Sequence, residues 1–326
     1  MKAVLCKAHG SPESLVVEEV ESPAPGPGQV VISVKAAGVN FPDSLIIQGK
    51  YQFQPPLPFS PGGEVAGIVK DVGAGVESVQ IGDRVTAWSA FGGFAEEFVA
   101  NADALIPLPA GIDFDVASAF AMTYGTGLHA LRDRANLLPG ERLLVLGAAG
   151  GIGLAAIEIG ALMGARVIAA ASTEEKLAVC RQYGASEVIN YGEQDLKERI
   201  KELTRGQGVD VVVDPVGGDY SEAALRGMAW NGRFLVIGFT AGSIPRIPLN
   251  LPLLKGCSIV GVFWGSFVAR EPQRSQANFQ QLLEWVQEGK LKPYISARYP
   301  LEQAADALYD IINRKVTGKI VLLPAQ

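Results

Sequence analysis

An α/β fold in two parts follows from three observations on the sequence. Six short β runs alternate with helical patterns between residues 142 and 263, the runs are almost wholly apolar, and a glycine cluster separates the first run from the helix after it. Apolar strands of that kind are covered on both faces, as in a parallel sheet flanked by helices. Ahead of them, residues 1–121 are strand-rich and punctuated by Gly and Pro, which predicts a second, β-rich domain. A length of 326 residues is long for a single core and agrees with two domains.

In chain order, residues 29–36 alternate apolar and polar side chains after Pro25-Gly26-Pro27-Gly28, the pattern of a half-buried strand. Further strands are predicted at 64–71, 84–88 and 95–99, each bounded by Gly, Asp or Pro. The segment 51–63, YQFQPPLPFSPGG, carries too many prolines for a regular element and predicts a stiff loop at a cleft rim. The parallel sheet is predicted from strands at 142–148, 166–171, 188–190, 209–214, 233–238 and 258–263. Helices at 151–164, 173–183, 193–204 and 219–230 alternate with them. Amphipathic helices at 273–287 and 301–313 and a strand at 319–323 are expected to return to the first domain.

The stretch 142–176 is the most informative. A strand runs into Gly147, Gly150, Gly151 and Gly153, then a helix, then a second strand. Glycines there let the chain turn sharply and let a pyrophosphate approach the first amides of the helix, whose N-terminus carries partial positive charge. Ala148-x-Gly150-x-x-Gly153 keeps two of the three fingerprint glycines of a Rossmann dinucleotide site. An NAD site places an acid at the end of the second strand, about 20 residues after the glycines. Here Ala171-Ser172 stands in its place, followed by Lys176, a pattern that accommodates a 2′-phosphate and predicts NADPH. Ser172-x-x-Glu175 also reads as a capping box.

Composition narrows the function. Net charge is −6 and 48% of residues are hydrophobic, so neither nucleic acid nor an anionic membrane is the expected partner. The N-terminal MKAVLCKAHG has no apolar run of signal-peptide length and no segment resembles a membrane span, which predicts a cytoplasmic protein. Cys6, Cys180 and Cys257 are scattered, as expected of a reducing compartment. A catalytic zinc needs three Cys, His or acid ligands and a structural zinc four clustered cysteines. With His9, His129 and those three cysteines, no metal site is expected.

Taken together, these motifs carry a resemblance. PAPGPGQVVISV, AAGVNFPDSLIIQGKY at 36–51, GGEVAG at 62–67, GDRV at 82–85, GGFAEEFV at 92–99, GAAGGIGLAAI at 147–157 and TGKIVLL at 317–323 span nearly the whole chain. It resembles the zinc-independent medium-chain dehydrogenase/reductases of the quinone oxidoreductase, or zeta-crystallin-like, group. Zinc-containing relatives carry Gly-His-Glu where this chain has Gly62-Gly63-Glu64.

The resemblance implies a GroES-like catalytic domain formed by residues 1–121 and 265–326, and a Rossmann NADPH-binding domain at 122–264. It implies hydride transfer from NADPH to an electrophilic small molecule: a quinone or, as an alternative, an enone or an enoyl or acryloyl thioester. It places Asn40, Asp43 and Tyr51 near the nicotinamide. Tyr51 hydrogen-bonds a developing oxyanion, supplies a proton or packs on the ribose, and Asn40 is limited to hydrogen bonding. The cofactor contacts it implies are Asn40, Thr126, Ala149, Gly150, Gly151, Ile152, Gly153, Ser172, Lys176 and Tyr191. Gly238 and Phe239 at the fifth strand end and Phe263 and Trp264 at the sixth belong to the set, as do Lys319 and Arg314 from the tail, candidate phosphate partners of which at least one reads as a solvated charge.

Phe91, Trp88 and Tyr124 are candidates for an apolar wall or for core. Leu45 stands where some quinone reductases have tyrosine, and Val262-Phe263-Trp264-Gly265 resembles a subgroup with less certain acceptors, so the family supports a reductase more firmly than it supports quinone. Arg270, Arg274 and Arg298 would have to converge to hold a coenzyme A phosphate. A non-catalytic NADPH-binding or RNA-binding protein is the reading from another class, and it lacks a basic stripe. Pairing of the edge strand 258–264 with a second copy predicts a homodimer.

Overall fold

The computed structural model describes residues 1–325 as two compact units. The first comprises Met1–Met122 and the chain from Pro293 onward; the second is Thr123–Lys292. The first unit is built on a mostly antiparallel sheet in the order Ile295–Pro300, Lys319–Leu323, Gln29–Val39, Glu64–Val72, Arg84–Trp88, Ile106–Pro107, with Glu97–Asn101 also paired to Gln29–Val39. Inward-facing Val30, Ile32, Val34, Val65, Val69, Val85, Ile320 and Leu322 pack with Phe94 and Phe98 into its core. Two pairings in this sheet position the chemistry. Ile320 lies opposite Val39, and Gly38 lies opposite Glu64. Lys319, Asn40 and Glu64 are therefore brought together at one end of three adjacent strands.

The second unit is a six-stranded parallel sheet in the order Glu187–Asn190, Arg166–Ala171, Arg142–Leu146, Val209–Asp214, Met228–Val236, Ser258–Gly261. That is the doubly wound order in which the first strand lies beside both the second and the fourth. Helices Gly151–Leu162, Glu174–Gln182, Leu196–Leu203 and Asp219–Arg226 supply the crossovers. Leu144, Leu146, Ile168, Ile189, Val212 and Phe234 are among the buried side chains of this core.

Three expectations need correction. The sixth strand stops at Gly261, and Trp264 opens a helix, Trp264–Arg270, instead of ending a strand. The fifth strand begins earlier than expected and ends at Val236. The helix Pro272–Gln287 stays with the second unit, so residues 265–292 do not join the first. Its anchorage explains why. A π-helical turn, His129–Arg134, carries Asp133, whose side chain is shielded from solvent and accepts hydrogen bonds from Arg274 Nη2 (3.0 Å) and Asn278 Nδ2 (2.9 Å) of that helix. The His129 ring stacks on Phe267 at 3.9 Å.

Candidate functional site

The second unit offers a nucleotide turn. Gly147 leaves the first strand at φ +57°, a left-handed conformation that glycine adopts without strain. Gly150 closes the turn onto the Gly147 carbonyl at 3.0 Å and leads into the helix Gly151–Leu162 with no side-chain cap. A Cβ on Gly153 would lie 2.5 Å from the carbonyl oxygens of both Gly147 and Ala148, so only glycine allows the helix to start this close to the strand. Ala149 and Gly150 bring the chain to the helix start, where the first-turn amides of Gly151, Ile152 and Gly153 meet no side-chain cap and suit an external anion.

The second strand ends at Ala171. Thr173, not Ser172, caps the next helix, its Oγ1 accepting the Lys176 N–H at 3.4 Å, which corrects the expected capping box. Ser172 is exposed and stands outside the cap. Tyr191 donates its N–H to the Ala171 carbonyl (3.0 Å) and its ring packs on Tyr220 at 4.3 Å. The Ser172 carbonyl sits 2.6 Å from where a Cβ on Gly192 would be. Ser172, Tyr191 and the helical turn bearing Lys176 thus share one strand end. Glu174 is drawn along its helix to Arg181 at 2.5 Å.

In the first unit, Asn40, Asp43, Glu64 and Lys319 form a buried polar cluster. Asp43 Oδ2 accepts the Asn40 backbone N–H at 2.7 Å. Glu64 Oε1 accepts the Met122 N–H at 2.9 Å, and its Oε2 accepts from Asn40 Nδ2 at 3.0 Å. Lys319 Nζ donates to Asn40 Oδ1 (2.5 Å), the Val39 carbonyl (3.1 Å) and Glu64 Oε2 (3.4 Å). Burial pushes the Asp43 carboxyl up to about 7, against the Asn40 N–H and the Lys319 charge, which favour its ionised form. Tyr51 is half-buried; burial and the nearby Asp43 charge raise its phenol above the usual value, so it stays a donor.

Other expected contacts fare differently. Lys319 has spent all three ammonium hydrogens inside the cluster, so it does not serve as a phosphate partner. Trp264 is buried, with its ring against Gly125 and edge-on to Phe279. Phe263, just before it, is exposed. Thr126 is buried in the helix Ala121–Leu128. Gly238 and Phe239 follow the fifth strand, and Phe239 lines a cavity of ≈ 240 Å³ with Val236, Ile244 and Ile259. Tyr124 is core, its hydroxyl bonded to the buried Glu158. Arg274 and Arg298 are committed to Asp133 and Asp115. Glu64 was visible only as part of a motif; the available signal was a carboxylate opening the apolar run 65–69.

A dinucleotide turn on a doubly wound sheet, joined to a β-rich unit with a buried polar cluster, defines a medium-chain dehydrogenase/reductase. Residues 26–110 match the alcohol dehydrogenase GroES-like domain, and residues 151–288 match the family model described as zinc-binding dehydrogenase. A Nematostella vectensis protein named quinone oxidoreductase-like protein 2 homolog is 43% identical over 98% of this chain and 88% of its own length. An Escherichia coli quinone oxidoreductase complexed with NADPH superimposes with a TM-score of 0.94 at 32% identity, over 99% of this chain and 100% of that one. CurK enoyl reductase superimposes with a TM-score of 0.90 at 25% identity, over 99% of each chain. The chain belongs to the zinc-independent quinone oxidoreductase family of medium-chain dehydrogenase/reductases.

The zinc in the name of one matching model is not supported by the donor set. At the Gly-Gly-Glu position a Cβ on Gly63 would lie 2.5 Å from the Ser89 carbonyl oxygen, leaving no room for an imidazole, and Glu64 is already engaged by an amide, a carboxamide and an ammonium. Among the described residues no group of three His, Cys, Asp or Glu side chains is arranged to hold a metal ion. No helix among them is long and apolar enough to cross a membrane.

Proposed function

We propose that this chain is an NADPH-dependent reductase that delivers hydride to quinones without a metal. The observation that carries the cofactor assignment is the end of the second strand, where Ala171-Ser172 replaces an acid and Ser172, Tyr191 and the turn bearing Lys176 meet. Glycine-turn amides at Gly150–Gly153 would hold the pyrophosphate, and Ser172 and Lys176 the 2′-phosphate. NADPH supplies the hydride when bound. The protein's own task is to accept the negative charge that appears on the acceptor oxygen and to deliver one proton. Tyr51, kept protonated by burial, donates to that oxygen, and Asp43, poised near neutrality, is the proton source within electrostatic range of Tyr51.

The likeness to CurK enoyl reductase supports a second reading in which the acceptor is an enone or enoyl thioester reduced with the same geometry. The engagement of Arg274 and Arg298 by carboxylates argues against a ready site for a coenzyme A phosphate. A screen of NADPH oxidation with quinones, enones and enoyl thioesters decides between them. Quinone turnover with NADPH is the expected result; turnover of thioesters alone selects the second reading. In the same assay Lys176→Ala is expected to raise the KM for NADPH about tenfold and leave NADH unchanged, a loss of about 1.4 kcal/mol. Equal losses for both cofactors would remove the 2′-phosphate assignment.

The reading includes a cytoplasmic homodimer. The strand Ser258–Gly261 lies at the free edge of its sheet, and Trp230, Leu253, Leu254 and Ile259 are exposed on the same unit. An unpaired edge beside exposed apolar side chains invites pairing with a second copy. Light scattering at micromolar concentration is expected to give about twice the 34.4 kDa chain mass, and a monomer refutes the dimer.

A further inference from the structure

The Asn40 carboxamide lies between two opposite charges. Its Oδ1 accepts from the Lys319 ammonium and its Nδ2 donates to the Glu64 carboxylate, and all three side chains are buried. An amide looks nearly the same in either of its two flipped orientations, and its partners decide between them. Here the decision is strongly biased. A flip would set the carboxamide oxygen against a carboxylate and its N–H groups against an ammonium, two repulsions in a region of low dielectric. The pair also supports itself: Lys319 reaches Glu64 at 3.4 Å, and the Met122 N–H holds the other carboxylate oxygen. Asn40 Nδ2 has two hydrogens, and Glu64 takes one. Among the described residues the second has no protein partner.

We infer that Glu64 and Lys319 are a positioning pair whose opposite charges fix the orientation of Asn40, so that its remaining N–H is presented as a pre-oriented donor to a carbonyl oxygen in the site. Neither residue touches the ligand. Pre-organisation of this kind lets a neutral amide act without reorienting during the reaction. The inference rests on the proposed reductase activity and deepens it, since it supplies the second oxyanion donor beside Tyr51. The oxygen belongs either to the acceptor or to the cofactor's carboxamide, and the two leave different kinetic traces.

The test uses the full chain with E64Q/K319M, which removes both charges together and so leaves no unpaired buried ion. The E64Q change keeps a side-chain carbonyl for the Met122 N–H. N40A and the triple variant complete a cycle. Loss of orientation is expected to reduce kcat at least tenfold at unchanged NADPH affinity if the acceptor oxygen is bound, or to raise the NADPH Kd by the same factor if the cofactor oxygen is bound. Adding N40A to E64Q/K319M is expected to change activity less than twofold, because the pair acts only through Asn40. Multiplicative losses in the triple variant, or wild-type kcat and Kd in E64Q/K319M, overturn the inference. Inactivity of the wild type towards every acceptor sinks the reductase reading instead. In that event the side-chain NH2 signal of 15N-labelled Asn40 still decides: one slowly exchanging proton in the wild type, lost in E64Q/K319M, supports the pair, and identical signals overturn it.

Discussion

Gly153→Ala is expected to damage the proposed NADPH site more than any other single methyl group added to the chain. The new Cβ would meet two carbonyl oxygens at 2.5 Å, both on the turn that precedes the helix. Backbone oxygens cannot swing aside as a side chain does, so relief comes from moving the first helical turn away from the strand. Overpacking of this kind costs about 1–3 kcal/mol. The displaced turn carries the amides of Gly151 and Ile152 with it, so the NADPH Kd is expected to rise by about tenfold to a hundredfold, each factor of ten being about 1.4 kcal/mol. Fluorescence titration with NADPH reads this directly. A Kd within twofold of wild type would show that these amides do not bind the cofactor.

The second large effect is a pH dependence of stability carried by Asp43. Burial raises this carboxyl from 3.8 to about 7 in the folded protein, so between those values the native state holds a proton that the unfolded chain has lost. Stability from this group is complete below about pH 4 and is lost as pH rises through about 7. The span corresponds to about 4 kcal/mol as an upper figure. Glu158 and Asp214 are also raised, chiefly by burial, and act in the same direction. They cancel when wild type is compared with Asp43→Asn, which keeps an acceptor for the Asn40 N–H. Urea unfolding from pH 4.5 to 8 is expected to show the wild type losing stability relative to the variant. Parallel profiles would place the Asp43 carboxyl at an ordinary value.

What the sequence made legible was local. The glycine turn, the acid missing after Ala171 and most strand positions follow from short-range periodicity and backbone sterics, and they survive in the structure with shifts of a few residues. Trp264 was misplaced because the sixth strand stops at Gly261, and nothing in Val262-Phe263 announces that stop. The helix Pro272–Gln287 was assigned to the wrong unit because its allegiance depends on Asp133, far away in sequence. Lys319 was read as a phosphate ligand for the same reason: its three acceptors come from other strands and the loop after one of them, visible only once Ile320 is set opposite Val39. Charge type can be read along a chain, but charge satisfaction is a property of register.

The close approach of Ser89 to Gly63 also sets what it would take to engineer a metal site into this chain. The Ser89 carbonyl occupies the space that a side chain at position 63 would need, and the Lys319 ammonium shares the carboxylate beside it. A histidine placed at position 63 therefore does not by itself create a metal ligand there. Building a metal site here would mean opening the Ser89 segment and removing Lys319 as well as introducing a histidine. Three coupled changes, not one, separate this site from a metal centre.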